Sequence, residues 1–158
     1  MNKQANSSHC FVCGVQNSHG LQMSFYETEP GEVFTTLTVP EHFQGYPGIV
    51  HGGVVASILD EATGRSFIQG DPPKFYVTAR LNIRYRKPVP IGQKLVIRGH
   101  AGKDMGRIAT ATGEICDQNG TVLAEAEAVL SEIPPELEKG YDPAELGWKV
   151  YPDDKETV

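Results

Sequence analysis

The sequence predicts one α+β domain, in which an antiparallel β-sheet wraps around a single long helix. Two strand-like runs come before the helical pattern and four come after it. The connections between runs are short, which favours antiparallel neighbours over parallel crossovers. A chain of 158 residues with 39% hydrophobic content is also the right size for one domain with its own core.

The first half of the chain predicts a hairpin followed by the helix. Residues 21–26 and 33–39 are rich in β-branched and aromatic side chains and flank the turn sequence Glu29-Pro30-Gly31. Residues 54–67 have helical periodicity. Their apolar positions form one stripe that would face a sheet: Val54, Val55, Ile58, Leu59 and Ala62.

The second half predicts four strands that follow one another as an antiparallel meander. A Gly70-Asp71-Pro72-Pro73 breaker separates them from the helix, and an Asn119-Gly120 hairpin signal precedes the last one. The predicted strands are residues 75–86, 93–101, 107–117 and 122–133. The whole domain is then 21–133, with an amino-terminal segment at 1–20 and a loosely docked, acidic, proline-containing tail at 134–158.

Composition narrows the class of partner. Fourteen basic and 20 acidic residues give a net charge of −6, which argues against binding nucleic acid or an anionic membrane. No run approaches the roughly 20 apolar residues of a membrane span, and the polar start is unlike a signal peptide. The sequence therefore predicts a cytoplasmic protein, whose three cysteines are expected to be reduced thiols.

The segment His51-Gly52-Gly53 directly precedes the predicted helix. Backbone N–H groups there have no partner within the helix, and the helix dipole adds partial positive charge. Such a site can stabilise a carbonyl oxygen during acyl transfer, and two glycines let a substrate come close to the backbone. The alternative is that Gly52 and Gly53 only permit a tight turn, and spacing alone supports both interpretations.

Asp60 is an acid on a helix otherwise lined by small and apolar residues, so it is the candidate catalytic carboxylate; a solvated helix face is the alternative interpretation. Its neighbour Glu61 is the alternative acid, but Arg65 lies four residues later and predicts an ion pair with it. Gly52 and Asp60 are separated by about 12 Å along one continuous helix. They can act on the same bond only if they come from different subunits.

Three sequence segments resemble those of hotdog-fold acyl-CoA thioesterases of the phenylacetate-pathway and 4-hydroxybenzoyl-CoA groups. In HGGVVASILDEATG the family's His-Gly-Gly is followed by an acid nine positions after the histidine. VTARLNIRYRKPVPIG resembles the next strand, and CFVCGVQNSHGL resembles the opening segment of many members. The resemblance implies a hotdog fold, hydrolysis of an acyl-CoA without a cofactor, and a homodimer or homotetramer.

The resemblance also implies roles for individual residues. Asp60 matches the general base or nucleophile, Gly52 the backbone donor that polarises the thioester carbonyl, and His51 the turn that shapes the pocket. Thr78 matches a Ser/Thr that helps hold the attacking water, although an ordinary strand residue is an equal alternative without the family. Related enzymes often carry Asn or Gln where this chain has Gly45, so the adjacent Gln44 is the candidate substitute.

Basic residues on the predicted strand after the helix are candidates for the phosphates of coenzyme A, as is one residue on a later strand. They are Arg84, Arg86, Lys87 and Arg107. A solvated strand face is the competing interpretation for each of them.

Cys10 and Cys13, flanked by His9 and His19, raise the question of zinc. The histidine spacing is irregular, so packing of the amino-terminal turn is the favoured interpretation and no metal is predicted. Two other functions stay open on the same fold: a hydratase or dehydratase, and a non-catalytic acyl-CoA-binding protein.

Overall fold

The computed structural model describes residues 1–70 and 72–153. Asp71 of the predicted breaker and residues 154–158 of the predicted tail lie outside this range. The elements in chain order are β1 (Asn2–Lys3), β2 (Tyr26–Glu27), β3 (Glu32–Thr38), a 3₁₀ turn (Glu41–Phe43), α1 (Gly52–Arg65), β4 (Tyr76–Tyr85), β5 (Lys94–Asp104), β6 (Ile108–Cys116), β7 (Val122–Glu132), α2 (Pro135–Glu138) and α3 (Pro143–Leu146).

One antiparallel sheet with the strand order β1-β2-β3-β5-β6-β7-β4 packs against α1. The apolar stripe of the helix is buried against the sheet, with Ile58, Leu59 and Ala62 fully inaccessible. Gly99 of β5 lies so close to the Ala62 carbonyl that a Cβ would have no room. The predicted α+β class, with a sheet around one long helix, is confirmed.

The four strands after the helix do not form the predicted consecutive meander. β5, β6 and β7 follow one another, but β4 pairs with β7 and β5 pairs with β3. The connection between β4 and β5 has its own partners, because the Val89 carbonyl accepts the N–H of Val50 (2.8 Å) and the Gly92 N–H reaches the Val39 carbonyl (3.0 Å). These bonds lead the chain from the β7 edge to β3, leaving β4 at the sheet edge.

The predicted strand at 21–26 was also largely wrong, because only Tyr26 and Glu27 belong to a strand. Leu21, Met23 and Phe25 are buried, as a strand reading requires. However, Gln22 has a positive φ of 51°, which breaks the extended run. The backbone of this segment instead bonds to the amino-terminal segment. The hairpin of β2 and β3 and the other predicted strands are confirmed.

A β-bulge in β4 decides which way Thr78 faces. Arg80 pairs with Val129, whereas Thr78 pairs with Leu130, so Ala79 is an extra residue. Leu130 is buried, so its side chain lies on the face of the sheet that packs against α1. The bulge therefore turns Thr78 toward the helix, on the face opposite to Arg80 and Arg84.

The amino-terminal segment and the tail lie together beside the carboxyl end of α1. Asn6 and Lys149 form an antiparallel bridge, and the Trp148 ring lies 5.2 Å from the Arg65 guanidinium. No helix in the described part of the chain is long and apolar enough to cross a membrane.

Candidate active site

The amino end of α1 presents an unpaired backbone donor. His51 is the N-cap residue, and its Nδ1 accepts the N–H of Gly53 at 2.9 Å. In this arrangement the hydrogen of a neutral His51 ring lies on Nε2. The N–H of Gly52 has no acceptor among residues 1–70 and 72–153, and Gly52 is exposed. At this helix end the N–H of Gly53 is thus satisfied by the cap, and the N–H of Gly52 is left for a ligand.

Tyr85, at the end of β4, closes over this helix end. Its hydroxyl donates to the Gly52 carbonyl at 2.8 Å. A Cβ at Gly52 would lie 3.7 Å from the Tyr85 ring, an ordinary contact. A cavity of about 800 Å³ opens at this helix end. It is lined by the segment before α1, by the first turns of α1, and by the end of β4 with the residues that follow it: Gly45, Tyr46, Ile49, Val50, His51, Gly52, Val55, Tyr85, Arg86, Lys87, Pro88 and Val89.

Asp60 lies two turns further along α1, beside Thr78. The Thr78 hydroxyl donates to Asp60 Oδ1 at 2.6 Å. Asp60 is partly buried and Thr78 is exposed, on the edge strand of the sheet. The hydroxyl orients the carboxylate while leaving its second oxygen for another partner.

Gly52 and Asp60 belong to one unbroken helix of 14 residues. Their separation of about 12 Å along the helix therefore stands, since each residue adds about 1.5 Å. Within one protomer the two halves of the predicted site do not meet. Each half has its own contact on β4, with Tyr85 beside Gly52 and Thr78 beside Asp60.

Glu61, the alternative acid, makes the predicted ion pair. The Arg65 Nε donates to Glu61 Oε1 at 2.8 Å, and Arg65 is only 1% exposed. Burial raises the pKa of Glu61 to about 7, against the opposing influence of Arg65. Its contacts are with the amino-terminal segment and α1 rather than with Thr78, so the structure separates the environments of the two acids.

The four predicted basic residues are divided among three places. Arg86 and Lys87 line the cavity at Gly52, and Arg86 also pairs with Glu125 at 2.6 Å. Arg84 lies on the outer face of the sheet, where it lines a different cavity. Arg107 lies just before β6, beside the end of β7, where its carbonyl accepts the N–H of Glu132. Within one protomer only Arg86 and Lys87 are near Gly52.

The packing of the loop before the helix explains why this chain has Gly45 where related enzymes often carry Asn or Gln. A Cβ at this position would lie 3.2 Å from His51 Cα, which is tighter than most real contacts. The Gln44 side chain accepts from the Gly48 N–H at 3.4 Å and thus holds the loop. Gln44 is exposed and does not line the cavity at Gly52.

Two features of the site escaped sequence reasoning. Tyr85 is the last residue of a strand, and nothing in the sequence indicates its contact with the glycine turn. The sequence gives no sign of the bulge at Ala79 either. Regular alternation from Arg80 would have placed Thr78 on the outer face of the sheet. Both depend on how β4 pairs with β7, which local patterns do not encode.

An antiparallel sheet packed around one long helix defines the hotdog class of folds. Residues 47–124 match the model of the thioesterase superfamily. A solved thioesterase superfamily protein is 32% identical, with a TM-score of 0.71 over 77% of this chain and 62% of that one. Over about half of its length the chain is thus similar to the thioesterase superfamily.

Two further comparisons refine this placement. Acyl-coenzyme A thioesterase THEM4 of Mus musculus is 37% identical over 137 residues, which are 85% of this chain and 58% of the mouse protein. The chain thus spans little more than half the length of this curated relative. The PaaI protein of the E. coli phenylacetic acid degradation operon has the same fold, with 18% identity and a TM-score of 0.65 over 72% of this chain and 81% of that one.

Proposed function

We propose that the chain hydrolyses acyl-CoA thioesters to a free acid and coenzyme A. The observation that carries the proposal is the hydrogen bond from Thr78 to Asp60, which fixes a carboxylate at an open sheet edge. The Asp60 carboxylate takes a proton from water, and the resulting hydroxide attacks the thioester carbon. The Gly52 N–H stabilises the oxyanion, the C–S bond breaks, and the thiolate of coenzyme A leaves and takes up the proton.

The reacting site is composite, with Asp60 from one protomer and Gly52 from its partner. The unbroken helix supports this, because the two residues of one chain are too far apart for one thioester carbon. β4 supports it as well, because it has no neighbour on its outer side among the described residues. An unpaired edge strand is a ready surface for pairing with a second copy.

Antiparallel pairing of two β4 strands brings the complementary halves together. In such a pairing the Thr78 end of one β4 lies beside the Tyr85 end of the partner's β4. Each Asp60 then approaches the partner's Gly52, and the homodimer has two equivalent sites. Further pairing of dimers into a tetramer is compatible with this arrangement.

Arg86 and Lys87 serve as contacts for the phosphates of coenzyme A, because both line the cavity at Gly52. Arg84 and Arg107 are assigned only to the outer rim of the assembled site. We place the reaction in the cytoplasm, as the composition predicts.

The direct test is release of free thiol from a panel of acyl-CoAs with short, long and aromatic acyl groups. Saturable turnover of at least one thioester is expected. Binding of acyl-CoA without thiol release indicates the non-catalytic alternative, and water addition to an enoyl-CoA indicates a hydratase. Either result in place of hydrolysis contradicts the proposal.

The composite site has its own test by subunit exchange. Inactive Gly52→Pro and Asp60→Asn proteins, each shown to fold and to exchange subunits, are mixed. In a heterodimer one of the two sites regains both a native Gly52 and a native Asp60, so about half of the wild-type activity returns. Verified heterodimers that stay inactive exclude a site shared between subunits.

A further inference from the structure

A second cluster of reactive groups lies away from Asp60 and Thr78, between the amino-terminal segment and α1. The Sγ atoms of Cys10 and Cys13 and a carboxylate oxygen of Glu61 all lie within 4.8 Å of one another. In a tetrahedral zinc site, Zn–S bonds of about 2.3 Å place two sulfur ligands about 3.8 Å apart. The three groups therefore already converge at nearly the separation that one metal ion requires.

The loop that carries the cysteines favours a thiolate at Cys10. Cys10 Sγ accepts the backbone N–H groups of Val12 and Cys13 at 3.4 and 3.5 Å. Gly14 packs against the Cys10 carbonyl so closely that no Cβ fits. The Asn6 side chain anchors the loop from below by donating to the Cys13 carbonyl at 2.7 Å. A sulfur that receives backbone N–H groups is favoured as an anion, the form that binds a metal.

Charge balance also favours a divalent cation. Two thiolates and the Glu61 carboxylate together carry three negative charges, and Arg65 beside Glu61 supplies only one positive charge. The Arg65 guanidinium lies 5.3 Å from the centre of the Phe25 ring and 5.2 Å from that of Trp148, so its position is set by both rings. A divalent cation makes the partly buried cluster neutral, which removes the cost of uncompensated charge there.

We propose that Cys10, Cys13 and Glu61 bind one zinc ion. Two thiolates with a carboxylate suit a borderline-soft cation and exclude the oxygen-loving Mg²⁺ and Ca²⁺. The fourth position faces a cavity of about 660 Å³, lined by all three ligands, where water completes the tetrahedron. The ion joins the amino-terminal segment to α1, one residue from Asp60, and its role is to hold that segment in place.

This ligand set differs from the one that the sequence suggested. His9 and His19 are exposed and are not part of the cluster. The third ligand comes instead from a helix far along the chain. Only folding brings Glu61 to the two cysteines, so spacing around Cys10 and Cys13 could not reveal it.

The test is titration of the reduced, metal-stripped protein with Co²⁺ and then Zn²⁺. One Co²⁺ per chain with a near-ultraviolet thiolate charge-transfer band is expected, and Zn²⁺ should displace it and raise the Tm. Cys116→Ser is the matched control, since Cys116 is a buried free thiol outside the cluster, and it should titrate like wild type.

Variants of the ligands distinguish this site from adventitious binding. Cys10→Ser should abolish the charge-transfer band, and Glu61→Gln should retain it with an affinity at least tenfold lower. Circular dichroism checks that each variant is folded, and Cys10 is the cysteine ligand that is only partly buried, so its replacement disturbs packing less than that of Cys13. The absence of stoichiometric binding by wild type, or an unchanged band in Cys10→Ser, overturns the proposal. Hydrolysis of acyl-CoA by the metal-free protein leaves the thioesterase proposal intact either way.

Discussion

Asp60 and Glu61 are consecutive acids on α1 that face different surroundings. The Asp60 carboxylate receives one hydrogen bond, from the hydroxyl of Thr78, and has no cation paired with it among the described residues. It stands beside the edge strand of the sheet, where a partner or substrate can approach. Its carboxylate therefore keeps an oxygen available for exchange of a proton.

Glu61 has different neighbours, and its charge is already engaged. Arg65 donates to it, and the two cysteine sulfurs lie close by. Burial raises the pKa of this carboxyl to about 7 and thereby marks it as unusual. The comparison teaches that a perturbed pKa alone does not identify the catalytic acid, because structural charge networks perturb titration as well.

The largest expected effect separates the two acids directly. Asp60→Asn keeps the shape and the acceptor for Thr78 but cannot accept a proton, so kcat should fall by about 10²–10⁴-fold. Its Tm should change little. Steady-state thiol release and thermal unfolding measure both quantities.

Glu61→Gln is the matched control for this comparison. It should keep most of the activity but lose about 1.5–3 kcal/mol of stability, because the amide still accepts from Arg65 but leaves this buried cation without a counter-charge. The assay must run below the lowered Tm. A greater loss of kcat in Glu61→Gln than in Asp60→Asn would reverse the assignment of the two acids.

The next effect concerns the other half of the site, at the amino end of α1. Gly52→Pro removes the unpaired N–H, and kcat should fall by about 10²–10³-fold, as for loss of one oxyanion donor. The fold should tolerate it, because proline is favoured at the first helical position and His51 has the extended ψ of 136° that a following proline requires.

Gly52→Ala provides the comparison, because it keeps the N–H and adds only a Cβ at ordinary contact distance from Tyr85. Its loss should be smaller and should fall mainly on KM, through reduced access for the substrate. Equal losses of kcat in both variants would show that the backbone donor at Gly52 is not what matters.

How much of this the sequence predicted differs between fold and site. The helix and five strands, from β3 to β7, follow from periodicity, because each buries one face against the same core. The pairing of β4 with β7 was missed, since the prolines at 88 and 90 mark a break but not the direction of the crossing. Asp60 and Gly52 stand out locally through their small neighbours and their place on the helix. The bulge that aims Thr78 depends on pairing between distant strands.

The smallest expected effect tests the contact that this bulge creates. Thr78→Val keeps the β-branched shape but removes the donor to Asp60, so kcat should fall by about 10–100-fold, corresponding to a hydrogen bond to a charged group of about 1.5–3 kcal/mol. Thr78→Ser retains a hydroxyl and should stay near wild type. In the Asp60→Asn background, Thr78→Val should have almost no further effect, because the hydroxyl acts through that carboxylate. Additive losses in the double variant would mean that Thr78 acts independently of Asp60, as a contact to substrate or water.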